Sequence, residues 1–325
     1  MTSPFDAYEV EKALRPSASG LAFDLEAALS ACVALHARVP DDAFTARTLN
    51  TERFGNGTVI GSNGLVLTIG YLITEAEEVT LFTNSGRRVA AHVLGQDQVT
   101  GFGLVHALEP LGLPALPMGD SRRLAPGDPI ILAGGGGLAH AMAGRLIARA
   151  PFEGYWEYLL KEALFTQPGH PHWSGGALIG PTGELMGVCS LQMNQQSADG
   201  QTPLINMSVP IELLPPILDD LSRGRLVRPS RPWLGVISGD FDGNVVVLDV
   251  SAGGPAQRAE LRRGDIILAV AGKKVASLAD FYTRLWALGP AGVTVPLRLR
   301  REEDVFDVEI RSVDRGARLK KPRFN

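Results

Sequence analysis

A chain of 325 residues with 45% hydrophobic residues, 20% charged residues and a net charge of −4 has the composition of an ordinary soluble globular protein. That balance excludes a disordered or collagenous chain and a broadly basic nucleic-acid binder. At roughly 150 residues per domain, two domains are expected. No stretch has the charge-free length of a membrane span, and the start "MTSPFDAYEVEKALRPSASG" lacks the apolar core of a signal peptide, so the chain is expected in the cytoplasm, off the membrane. The two cysteines, Cys32 and Cys189, stand in apolar stretches and read as buried thiols of a reduced compartment.

Along the chain, "LAFDLEAALSACVALHA" (residues 21–37) spaces Leu21, Leu25, Leu29, Cys32, Val33 and His36 by threes and fours, which predicts an amphipathic helix and an N-terminal helical segment over 1–50. From Thr51 onward the pattern changes to short β-rich runs such as "GTVIGSNGLVLTIG" and "EVTLFTNSGRRVAAHVLG", broken by Gly- and Asn-bearing turns. This predicts a mainly β domain, a barrel or sandwich, over 51–222. "ILAGGGGLAH" lacks the Gly-Lys-Ser/Thr ending of a phosphate loop and reads as a turn between strands. "PIELLPPILDDLSRG" predicts a short helix ending at Gly224, and the Pro- and Arg-rich "RLVRPSRP" a linker over 223–231. A mixed α+β domain follows over 232–313, and "RGARLKKPRF" within 314–325 reads as a solvated, mobile basic tail. The histidines and cysteines show no paired metal spacing, and neither metal nor cofactor is expected.

The last domain resembles a PDZ domain. "WLGV" (Trp233, Leu234, Gly235, Val236) is similar to the carboxylate-binding loop, "SAGGPAQRAELRRGDIILAVAGKKV" to the segment where a helix precedes a strand, and "SLADFYTRL" to the helix beside the peptide groove. Such a loop offers backbone N–H groups to a terminal carboxylate, and the adjoining strand can take an extended peptide as an extra strand. Upstream, "GNGTVIGSNGLVLTIGYLI", "NSGRRVAAHVLGQDQVTGFGLV" and "HWSGGALIGPTGELMGV" resemble the framework of the HtrA (Deg) family of trypsin-like serine proteases. The resemblance implies a trypsin-like double β-barrel followed by a PDZ domain.

The resemblance sets Ser174 at the nucleophile position, but puts Tyr71 where the family has its catalytic histidine and Gly101 where it has the triad aspartate. A serine hydroxyl attacks only when a neighbouring base takes its proton, and a phenol with a pKa of about 10 is no base at neutral pH. His172, followed by Trp173, stands where the family's oxyanion loop has glycine, which reaches positive φ cheaply; the loop is therefore expected to be distorted.

Two readings follow. In one the chain is a proteolytically inactive scaffold, adaptor or chaperone-like binder in protein quality control, binding polypeptides or protein C-termini through the PDZ domain. In the other it is an active serine endopeptidase using Ser174 with an unconventional base. The resemblance also implies a possible homotrimer, with Phe5 and Tyr8 of "PFDAYEV" beside an apolar helix face.

Overall fold

The computed structural model describes residues 8–195, 202–225 and 228–320. Residues Pro151–Lys161 and Arg228–Leu319 form one compact unit, and the rest of the described chain forms another.

The larger unit holds two closed antiparallel barrels. The first is built from β1 (Cys32–Arg38), β2 (Glu52–Gly61), β3 (Leu65–Ile69), β4 (Glu78–Phe82), β5 (Arg88–Gln96) and β6 (Phe102–Ala107), closed in the order β1-β2-β3-β6-β5-β4. Leu35, Leu67, Ile69, Leu81, Phe102 and Leu104 are fully buried. The second is built from β7 (Pro129–Ala133), β8 (Ala141–Gly154), β9 (Tyr158–Gln167), β10 (Ala177–Ile179), β11 (Leu185–Asn194) and β12 (Leu204–Pro210), closed in the order β10-β11-β12-β9-β8-β7. Leu124, Ile130, Leu132, Leu146, Leu164, Leu178, Met186 and Cys189 form its core. Closing each sheet on itself removes edge strands that would otherwise present unpaired backbone groups.

The helix expected over 21–37 is corrected. Only Leu25–Ser30 is helical, capped by the Asp24 side chain, and Cys32–Arg38 is β1, paired to β2 and β4. β1 is buried on both faces as it closes the barrel, so it reads as a continuous apolar run in which helical and strand periods coincide. The expected boundary at residue 50 is corrected with it, because the first barrel begins at Cys32.

Gly134–Gly137 lie between β7 and β8. At Gly135 an added Cβ would stand 2.1 Å from the Ala34 backbone nitrogen, so β1 and this turn approach as closely as backbones can. The basic tail is also corrected, since Arg315–Arg318 form a short 3-10 helix and the Lys320 backbone N–H donates to the Glu75 carboxylate (2.9 Å).

The smaller unit contains a sheet ordered β13-β14-β15-β17-β18, from β13 (Val236–Phe241), β14 (Asn244–Val250), β15 (Ile266–Val270), β16 (Lys273–Lys274, paired to β15), β17 (Thr294–Arg301) and β18 (Asp304–Arg311). Helix Leu278–Trp286, capped by Ser277, buries Leu278, Phe281, Tyr282 and Leu285 against it. β13 lies at the end of this order. The β8–β9 hairpin tip, residues 151–161, belongs to this unit, and its Leu159 packs on the unit's core.

Candidate active site and peptide groove

Ser174 lies in the loop that enters β10, where tight backbone packing dictates glycine. Gly175 has φ 75°, and an added Cβ there would come within 2.2 Å of the Asn56 carbonyl oxygen. Asn56 on β2 is 1% exposed and ties the loop down. Its Nδ2 donates to the carbonyls of His172 (2.9 Å) and Ser174 (3.1 Å), its Oδ1 accepts from the Gly135 N–H (2.9 Å), and its own N–H donates to the Ser174 carbonyl (2.8 Å).

Tyr71 starts from the helical turn Gly70–Ile73. Arg53 fastens this turn by donating to the carbonyls of Tyr71 (2.7 Å) and Thr74 (2.8 Å). Burial lowers the Arg53 guanidinium to about 10, against the pull of the nearby Glu75 carboxylate. The Tyr71 hydroxyl lies 2.8 Å from Ser174 Oγ and donates to the Ser190 carbonyl (2.7 Å). Since its proton goes to Ser190, the phenol oxygen is left to accept from Ser174. Burial raises the Tyr71 pKa further above its ordinary value, so no phenolate is present to take the serine's proton. The atom against Ser174 Oγ is thus a neutral hydroxyl that holds it by hydrogen bonding.

Gly101, at φ 86°, accepts from the Gly70 N–H through its carbonyl (2.7 Å), which sets it one residue from Tyr71.

The segment before Ser174 is committed elsewhere. The His172 N–H donates to His170 Nδ1 (3.0 Å), and His170 Nε2 lies 3.0 Å from the His140 carbonyl. These two contacts fix His170 as the Nε2–H tautomer and occupy both of its ring nitrogens. His170 is 1% exposed, and burial lowers its pKa to about 4, the neighbouring His172 and His140 adding to the shift and the His140 carbonyl opposing it. The His172 ring packs edgewise on Tyr8 (4.9 Å) and near His140 (6.5 Å), while Trp173 lies edgewise to Tyr71 (6.5 Å). Tyr8 therefore meets the loop in its own chain; Phe5 lies outside the described residues. Sequence reasoning missed Asn56, Arg53 and the Ser190 carbonyl. The only signal was the placement of Asn56 and Arg53, polar residues in a strand otherwise rich in buried positions.

In the smaller unit, Trp233, Leu234, Gly235 and Val236 form the turn into β13. Gly235 has φ 78°, and an added Cβ would meet the Trp233 ring at 2.9 Å, so only glycine lets the successive amides converge. They converge on the Glu157 carboxylate. Oε1 accepts from the N–H groups of Leu234 (3.2 Å), Gly235 (2.7 Å) and Val236 (3.1 Å), and Oε2 from Leu234 (3.2 Å). Burial pushes the Glu157 carboxyl up to about 7, while those amides and the Arg315 charge pull it the other way. The residues expected to read a carboxylate thus hold one. Glu157 was not among the expected site residues.

Comparison with known proteins agrees with this architecture. Residues 55–188 match the trypsin-like peptidase domain and residues 232–311 the PDZ domain. The chain is 26% identical over 278 residues to the serine endoprotease DegS of Escherichia coli, covering 81% of this chain and 77% of DegS. It is 27% identical over 273 residues to a probable periplasmic serine endoprotease, DegP-like, of Halomonas elongata, covering 79% of this chain and 55% of that one. A crystal structure of a serine endoprotease from Yersinia pestis superposes with a TM-score of 0.53 at 24% identity, covering 92% of this chain and 98% of the other. The expected cytoplasmic location is corrected here, because relatives from Halomonas elongata, Haemophilus influenzae and Pseudomonas fluorescens are named periplasmic. Cys32 and Cys189 do not argue otherwise, since both are fully buried and a thiol out of reach of oxidants reports no compartment. The chain is HtrA-like, a trypsin-like peptidase domain followed by a PDZ domain.

Proposed function

We propose that this chain no longer cleaves peptides and acts as a binder of polypeptides, its PDZ domain reading carboxylate-bearing segments. The observation that carries this reading is the Tyr71 hydroxyl, 2.8 Å from Ser174 Oγ, with its own proton on the Ser190 carbonyl. Triad members act as a unit, and losing the base alone removes several orders of magnitude of rate. The bond from the His172 amide to His170 supports the same reading, since a donor already engaged is withheld from a developing oxyanion.

The test is labelling with a fluorophosphonate, alongside degradation of casein. Ser174 is expected to react no faster than an exposed ordinary serine, and casein to stay intact. Rapid stoichiometric labelling that Ser174→Ala abolishes would overturn the reading and favour an endopeptidase with an unconventional base. Trp233 to Val236 are proposed as the peptide-reading loop, supported by the carboxylate they already hold. The relatives named periplasmic support placement outside the cytoplasm, which cell fractionation tests directly.

A further inference from the structure

The hairpin tip between β8 and β9 meets the peptide groove in the manner of a ligand. Its Glu157 carboxylate lies on the amides of Leu234, Gly235 and Val236. Two residues earlier, the Tyr155 carbonyl accepts from the Ser238 N–H (3.0 Å) on β13, the end strand of the sheet that an extended peptide would join. From the helix on the other wall, the Tyr282 hydroxyl donates to the Gly154 carbonyl (2.8 Å) and accepts from the Glu157 N–H (3.1 Å). The hairpin thereby presents a carboxylate, an edge-pairing backbone and contacts to the groove helix, the features by which a polypeptide C-terminus would be recognised.

The backbone at Glu157 adds a second, independent observation. Its φ is 60°, a left-handed conformation that residues with a Cβ adopt at a cost and glycine adopts freely. At Glu157 the bonds from its carboxylate to the loop amides help offset that strain.

We propose that this hairpin is the groove's resident ligand in cis, Glu157 filling the carboxylate loop and Tyr155 pairing with β13, so that an incoming polypeptide C-terminus binds only by displacing it. The proposal rests on the reading of the groove as a binder of polypeptide C-termini. A tethered competitor acts at an effective concentration of millimolar order, so it lowers the apparent affinity for a free chain in proportion to the fraction of time the groove is filled. Recognition would then favour C-termini whose side chains add contacts the hairpin lacks, because the carboxylate alone gives no advantage over Glu157.

The experiment compares the full-length chain with its Glu157→Gly and Glu157→Gln variants. Glycine removes the carboxylate and relaxes φ, so the turn is retained; glutamine keeps the size and removes the charge. The probes are fluorescent decapeptides ending in Val, Leu, Ile or Phe, with free or amidated C-termini, read by anisotropy. Hydrogen exchange at Leu234, Gly235 and Val236 is followed in parallel.

The expected result is at least about tenfold tighter binding of a free-carboxylate peptide to Glu157→Gly than to the wild type, with Glu157→Gln between them, amidated peptides weak throughout, and faster exchange of the three amides in both variants. Equal binding by wild type and variants overturns the competition and leaves the peptide-reading function standing. No binding by any of them removes that function and the competition together. Unchanged exchange at the three amides overturns the occupancy itself.

Discussion

Tyr71 shows how a buried phenol can hold a serine hydroxyl in place. Its hydroxyl bridges Ser174 Oγ and the carbonyl of Ser190, a residue 5% exposed, so removing that oxygen strands a buried acceptor. Tyr71→Phe is expected to cost about 1–2 kcal/mol in urea unfolding, with Ser174 as inert to fluorophosphonate as before. A gain in labelling would mean that the phenol had been restraining a competent nucleophile. His170 gives the residue scale its pH dependence. Its pKa falls from 6.5 to about 4 on folding. The folded state thus resists a proton that the unfolded chain accepts, and stability present above pH 6.5 is lost as pH falls toward 4. By linkage the loss attributable to this group is about 2 kcal/mol at pH 5. His170→Asn, which keeps an acceptor near the His172 amide, is expected to flatten the stability difference between pH 7.5 and pH 5. An unchanged slope would assign the acid sensitivity to other groups.

The barrels were legible as elements because their β-rich runs are punctuated by glycine-bearing turns. β1 was not, because strand and helix patterns coincide when every face is buried; only pairing to β2 and β4 decides between them. The four-glycine turn was legible as a turn, though the reason for its glycines was not. A Cβ added at Gly135 would stand 2.1 Å from the Ala34 backbone nitrogen, whereas the nearest atom to a Cβ on Gly137, at φ 70°, is a side-chain nitrogen of Asn84 at 3.6 Å. These are different constraints, close approach at one position and handedness at the other. Gly135→Ala is expected to destabilise by about 3 kcal/mol or more, since backbone cannot move aside as a side chain does. Gly137→Ala should cost about 1 kcal/mol, the penalty for a left-handed alanine. Equal losses in thermal unfolding would show that the β1 approach relaxes freely.

At the scale of the molecule, the order of a trypsin-like region before a PDZ domain was carried by motifs in the sequence. The partner of the carboxylate loop was not, because Glu157 and Gly235 lie 78 residues apart and nothing in "GYWEYLL" marks an acid as a ligand rather than a solvated turn residue. One consequence is that the smaller unit is not contiguous in sequence. A fragment from Arg228 to Leu319 omits residues 151–161, and with them Leu159 on its core, the Gly154 carbonyl that accepts from Tyr282, and the carboxylate on its loop. Such a fragment is expected to melt at lower temperature than a version in which 151–161 is supplied, and a synthetic peptide spanning 150–162 is expected to bind it in trans. The contacts to be re-formed are a few charge-assisted amide bonds, the two bonds of the Tyr282 hydroxyl, one edge bond and one apolar side chain. An affinity between millimolar and micromolar, about −4 to −8 kcal/mol, suits that set once the ordering of the free peptide is subtracted. Binding should shift the amide resonances of Gly235 and Val236 and raise the melting temperature, and a peptide with glycine in place of Glu157 should do neither. If both peptides act alike, the hairpin is held by its aromatic and apolar contacts, and the carboxylate contributes nothing to its place in the groove.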